Sequence, residues 1–186
     1  HRPRPRLAGL AALVAAVALV ATACSGTGGD DVLDVQAALD GDPAAVQPDV
    51  PADVDIDVTY QTFDGATANL ADRVGRPLVV NFFARWCVAC VSEMPDLEAV
   101  HQQVADEIDV IGISEDADPA DALDLVAETG VTYDLGWDPD GTVFAHFGGF
   151  AMPTTVLVAA DGTVVDVFSG AVTAAELTDR LEAIRS

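Results

Sequence analysis

Hydrophobic positions along the chain fall into three regimes. Leu7–Ala23 is an unbroken apolar run of mostly Ala, Val and Leu, preceded by Arg2, Arg4 and Arg6. The run is shorter than the roughly 20 residues a spanning helix needs and ends in small residues, the arrangement of a secretion signal at 1–23. Ser25–Pro51 is rich in Gly, Asp, Ala and Pro. Apart from a short helical stretch around Val32–Leu39 it lacks apolar periodicity, so residues 24–51 read as a flexible acidic linker. From Ala52 to the end, at 52–186, the pattern becomes that of a folded domain.

Within that domain the periods predict an α/β order. Val54–Phe63 alternates in part and ends at Asp64-Gly65, a hairpin-type turn. Pro77–Ala84 is nearly continuous in apolar residues, as a strand buried on both faces requires. Val88–Ala105 then carries Leu97, Val100 and Val104 at helical spacing, and Asp109–Ser114 is a second buried strand. Asp118 reads as the N-cap of a helix with Pro119 in its first position and Asp121 in its first turn, stopping at Thr129-Gly130. A calcium loop would need a ligand series these carboxylates lack. Asp138-Pro139-Asp140-Gly141 is a turn. Thr154–Ala160, Asp161-Gly162 and Thr163–Phe168 form a second hairpin, and Thr173–Ile184 an amphipathic helix. Strand–helix alternation implies a parallel centre, the last hairpin adds an antiparallel edge, and helices cover both faces of the mixed sheet.

Charge narrows the partners. The chain holds 31 acidic and 8 basic residues, for a net charge of −23, and no Lys. Such a surface repels nucleic acid, which excludes the nucleic-acid-binding classes. The cysteines are Cys24, Cys87 and Cys90, too few and too closely spaced for a disulfide-stapled secreted domain.

Trp86-Cys87-Val88-Ala89-Cys90 lies directly after a predicted buried strand and opens a helix. Free N–H groups and the helix dipole stabilise a thiolate there, lowering the pKa of the first cysteine. Cys87 is therefore expected to be exposed and nucleophilic. Cys90, one turn inside, is expected to be more buried and to resolve the mixed disulfide formed on Cys87. Two thiolates with His146 or Met152 could instead hold Cu(I), the competing reading; a simpler reading makes His146 a packing residue. No Thr-x-x-Cys precedes the pair, which counts against a thiol peroxidase. Pro153, read without other information, is a strand-start proline. Pro95 sits inside the predicted helix, where it removes a hydrogen bond and would kink it.

Three separated stretches, Val79–Cys90, Glu93-Met94-Pro95 and Met152–Val158, occur in the order found in the thioredoxin superfamily. Within it the chain resembles the TlpA/ResA-like, or DsbE-like, extracytoplasmic disulfide oxidoreductases over roughly Ala52 to the end. The resemblance implies a thioredoxin-like fold with an N-terminal β-hairpin and an inserted strand–helix segment near Asp118–Asp138. It implies that Pro153 is cis and lies beside the cysteines, so that Met152 borders them as apolar contact for a bound peptide. Thioredoxins have a buried Asp where this chain has Asn81, which cannot take a proton. Glu93 matches the acidic residue of the TlpA/ResA-like group and is the expected substitute base for Cys90. The plain alternative is a solvated Glu93 paired with Arg85. Trp86 divides between core packing and the site rim. Ala89 stands where relatives often have Pro, a dipeptide position that helps set the redox potential.

Val20-Ala21-Thr22-Ala23-Cys24 resembles the lipobox of bacterial lipoproteins, with Ala21 where Leu is usual. The resemblance implies lipidation at Cys24 and anchoring on the outer face of the cell membrane; an uncleaved anchor or a free Cys24 are the alternatives. The expected partners are protein thiols and disulfides, with a membrane electron donor or acceptor, and the only redox group needed is the disulfide itself.

Overall fold

The computed structural model describes residues 54–185. The expected signal, the whole of the linker and Cys24 lie outside the described residues. Seven strands among these residues form one sheet: β1 (Thr59–Gln61), β2 (Thr67–Asn69), β3 (Leu78–Phe83), β4 (Asp109–Ser114), β5 (Asp134–Trp137), β6 (Thr154–Val158) and β7 (Val164–Ser169). Their order across the sheet is β2-β1-β5-β4-β3-β6-β7. β3, β4 and β5 are parallel, while β6 and β7 run antiparallel on one side and β1 pairs antiparallel with β5 on the other. This is the mixed sheet of a thioredoxin-like fold.

β3 lies between β4 and β6, and all six of its residues are buried. Its alternating side chains feed two cores. Val79 and Phe83 pack with helix α1 (Val88–Val104), helix α2 (Pro119–Thr129) and helix α4 (Ala174–Leu181). Leu78, Val80 and Phe82 pack on the opposite face with Val143 of the short helix α3 (Thr142–His146), Phe147 and Tyr60. Asn81 sits between Val79 and Phe83 in sequence, so the period of two points it at α1.

Helix ends follow their caps. Asp118 accepts from the Ala120 amide at 2.9 Å, Pro119 is the first residue of α2, and the helix stops at Gly130. Asp138 accepts from the amides of Thr142, Val143 and Phe144 and so starts α3. The turn reading of Asp138–Gly141 therefore holds, and its carboxylate is a structural cap. Thr173 and Glu176 form a reciprocal capping box on α4. That helix is shorter than expected; Ile184 lies past its end in a turn yet stays buried. The first strand is also shorter than Val54–Phe63, because only Thr59–Gln61 finds partners in β2 and β5. α1 is continuous through Pro95, whose ring faces solvent, so the proline does not end the helix.

The N-terminal hairpin is held by close packing where β1 meets β5. A Cβ on Gly136 would stand 2.6 Å from Tyr60 Cδ2 and 3.4 Å from Ile113 Cγ1. Gly136→Ala must displace the Tyr60 ring and is expected to destabilise the domain by about 1–3 kcal/mol in urea titration. An unchanged unfolding midpoint would mean that this ring does not secure the hairpin.

Candidate active site

The turn that follows β3 is fixed by backbone bonds. Asp116, buried beyond the end of β4, accepts the Arg85 amide through both carboxylate oxygens at 3.1 and 3.0 Å and the Ser114 hydroxyl at 3.0 Å. The Cys87 amide donates to the Ala84 carbonyl at 3.1 Å. Cys87 is thereby set as the N-cap of α1, with extended backbone, and its sulfur accepts from the Cys90 amide at 3.1 Å. Cys87 and Cys90 form a disulfide, with Cα atoms 5.3 Å apart.

Cys90 is wholly buried, whereas Cys87 is 7% exposed. The order of exposure is as expected, but Cys87 is not freely exposed: its bond to the buried Cys90 draws it into the core surface. Trp86 is 66% exposed. The core half of its reading is corrected, because the turn carries its ring beyond the last packed layer of β3, and Trp86 is a rim residue.

Cys87 opens into a cleft of about 490 Å³. Trp86, Val88 and Ala89 form one wall, from the start of α1. Phe144 of α3 and Phe150, Ala151 and Met152 of the connection to β6 form the other. The Met152–Pro153 peptide bond is cis. No charged side chain lines this cleft, and Trp86, Val88 and Phe150 leave much apolar surface open to solvent. Sequence reasoning missed Phe144 and Phe150. The available signal was two aromatic residues, one in a short helix and one in the irregular segment after it, shortly before Met152-Pro153.

Glu93 lies one turn beyond Cys90 and is 2% exposed. The surface alternative, with Arg85 as its partner, is corrected: Arg85 pairs with Glu128 at 2.8 Å. Glu93 Oε1 accepts from Asn81 Nδ2 at 2.8 Å and Oε2 from the Val172 amide at 3.0 Å. Asn81 Nδ2 also donates to Thr155 Oγ1 at 3.1 Å. Burial pushes the Glu93 carboxyl up to about 7; the two donors pull it back and the charge of Asp96 adds to the rise. A carboxyl that gains and loses a proton near neutrality is suited to serve a thiol in its neighbourhood.

His146 is only half-buried, and its Nε2 bonds to the Asp55 carbonyl at 2.8 Å, so it ties the segment before β1 to α3. It therefore fits the packing reading better than that of a sulfur-bound metal ligand. Among the described residues no group of three His, Cys, Asp or Glu side chains is placed to hold a metal ion.

Residues 45–183 match the Redoxin family. The chain is 26% identical over 135 residues to the thiol-disulfide oxidoreductase ResA of Oceanobacillus iheyensis, a match spanning 72% of this chain and 68% of that protein. It is 31% identical over 122 residues to the thiol:disulfide interchange protein HelX of Rhodobacter capsulatus, spanning 63% and 68%. Among solved structures it is similar to a secreted Mycobacterium tuberculosis disulfide oxidoreductase homologous to E. coli DsbE. That match has a TM-score of 0.64 and 28% identity, and covers 71% of this chain and 99% of that one. The chain belongs to the Redoxin family, and its fold and paired cysteines mark it as a thiol-disulfide oxidoreductase of the ResA/DsbE type.

Proposed function

We propose that the protein exchanges its Cys87–Cys90 dithiol and disulfide with cysteines of other proteins outside the cytoplasm, held to the membrane through a lipid on Cys24. The observation that carries the reading is the position of the pair: Cys87 caps α1 and faces an uncharged cleft, while Cys90 lies wholly buried behind it. The secreted nature of the M. tuberculosis relative and the signal-like run at Leu7–Ala23 support the location. No group beyond the disulfide itself is required.

In the reducing direction, the Cys87 thiolate attacks one sulfur of a target disulfide. A Cys87–target bond forms and the other target sulfur leaves as a thiolate. The amide at the start of α1 that reaches the Cys87 sulfur favours that anion. Glu93 takes the proton of Cys90, whose thiolate attacks Cys87; the Cys87–Cys90 bond forms and the target leaves with both its sulfurs reduced. A dithiol donor at the membrane then restores the pair. The oxidising direction runs the same steps backwards. Trp86, Phe144, Phe150 and Met152 supply apolar walls for the residues beside the target cysteine, and Pro153 shapes the backbone next to them.

Cys87→Ser is expected to abolish insulin reduction and thiol oxidation, and Cys90→Ser to accumulate mixed disulfides visible on non-reducing gels. Wild-type turnover by Cys87→Ser would end this mechanism.

Replacing the base by Glu93→Gln keeps size and removes the proton acceptor. An ionised Glu93 is the active form, so the wild-type rate of attack by Cys90 is expected to rise with pH around about 7. The variant should lose that rise and recover only where the thiol ionises unaided. Stopped-flow measurement of both steps against pH checks this, with the Cys87 step changing little.

Cys24→Ala is expected to release the full chain from membranes and from the detergent phase. Retention after the substitution would point to an uncleaved anchor.

A further inference from the structure

Among the buried polar atoms without a partner is Asn81 Oδ1, in the middle of β3. Its amide nitrogen is fully used, donating to Glu93 Oε1 at 2.8 Å and to Thr155 Oγ1 at 3.1 Å. An orphaned acceptor in the centre of β3 carries a cost that an apolar residue there would avoid. The orientation follows from charge. With Glu93 ionised, the opposite orientation would set a carbonyl oxygen against a carboxylate oxygen.

The partners change when Glu93 is protonated. A carboxylic acid has an O–H to donate, and the Thr155 hydroxyl can donate as well as accept. Turning the carboxamide over would then give Oδ1 both hydrogen bonds, leaving the amide nitrogen as the unpaired end. The groups around Glu93 do not offer a rival device. Val172 presents only its backbone amide, at 3.0 Å, and Asp96, on the same helix, acts by repulsion. The Tyr133 hydroxyl, just before β5, is buried without a partner, and burial and the charges of Glu93 and Glu98 keep it protonated. Of these neighbours the Asn81 side chain is the one that is hydrogen-bonded to Glu93 and can both donate to it and accept from it, since the Tyr133 hydroxyl bonds to neither oxygen.

We propose that Asn81 is a positioning residue for the redox reaction, donating to Glu93 while that carboxylate is ionised and turning over to accept from it once it has taken the Cys90 proton. This rests on the reading of Glu93 as the proton acceptor. By supplying a partner to each form, the amide keeps both protonation states accessible inside a core that would otherwise favour the neutral acid. A buried Asp at this position could not do so, because it would compete with Glu93 for one proton.

The test measures, in the full chain, the rate at which Cys90 resolves the mixed disulfide, as a function of pH. Asn81→Leu keeps the approximate shape and removes both donor and acceptor. The midpoint of the pH profile is expected to rise by about one pH unit, since a bond is lost from each form of Glu93 and the charge-assisted one to the ionised form is the stronger. From a starting value of about 7, that lowers the rate at pH 7 about fivefold, with recovery at higher pH. In a Glu93→Gln background Asn81→Leu should leave the profile where it was. If Glu93→Gln alone does not alter the profile, the base reading fails and takes the proposal with it. If Glu93→Gln flattens it but Asn81→Leu leaves the midpoint in place, Asn81 is a packing residue and only the present proposal fails. A second readout needs no variant at Asn81. Its side-chain amide signals in nitrogen-15 NMR should shift with the same midpoint as the Glu93 carboxyl carbon. Amide signals that stay fixed while Glu93 titrates would overturn the turnover.

Discussion

The site depends on a strand that has no exposed face. β3 is bonded to β4 along all of its residues and to β6 along most of them, and each of its side chains enters a core. A strand so enclosed cannot shift register without moving apolar groups on both faces at once. The chain leaves it at Phe83 and enters α1 at Val88, so the turn between them is fixed at both ends. Asp116 then holds that turn by accepting the Arg85 amide. The position of Cys87 follows from these constraints: little in the disulfide itself is needed to place it.

The same strand also carries the polar interior. Asn81 reaches from β3 to Glu93 on α1 and Thr155 on β6, and Glu93 reaches on to the Val172 amide ahead of α4. Three side chains and a backbone amide, from four parts of the fold, therefore meet around one carboxyl. In a core otherwise built of Val, Ile, Leu and Phe, such a group must be bonded or neutral, and here it can be either. The outer side of the site is of opposite character, an apolar cleft on a chain whose net charge is −23.

Most of the fold was legible because it follows from local pattern. The apolar run at Pro77–Ala84 became β3, Asp109–Ser114 matched β4, and the Asp118-Pro119 signal matched the start of α2. These signals work because burial on two faces and helix capping leave marks on adjacent residues. The site was legible in part for the same reason, since a cysteine pair after a buried strand is a local pattern. What failed to show was non-local. Trp86 looked equally suited to core or rim, because nothing in its neighbours says that the turn carries it past the last packed layer. Asn81 marked a polar position in an apolar strand, yet its link to Glu93 spans twelve residues and its link to Thr155 many more. Phe144 and Phe150 join Cys87 only once α3 and the connection to β6 fold back over α1. Glu93 was legible by resemblance, whereas its burial needed the whole sheet.

The bond between Cys87 and Cys90 encloses a sequence separation of only three residues. Chain-entropy arguments make so small a loop a weak constraint on the unfolded ensemble, on the order of 2 kcal/mol against nearly 5 for a loop of a hundred residues. Opening it therefore costs the fold little, and the sheet and its two cores do not rely on it. The ring can also close in a local turn of the unfolded chain, before any tertiary contact exists. The surroundings of Glu93, which draw on β3, β6 and the segment before α4, have no counterpart there. The link and the environment that governs its reactivity are thus separable in time: the first can precede folding, and the second is a property of the finished domain.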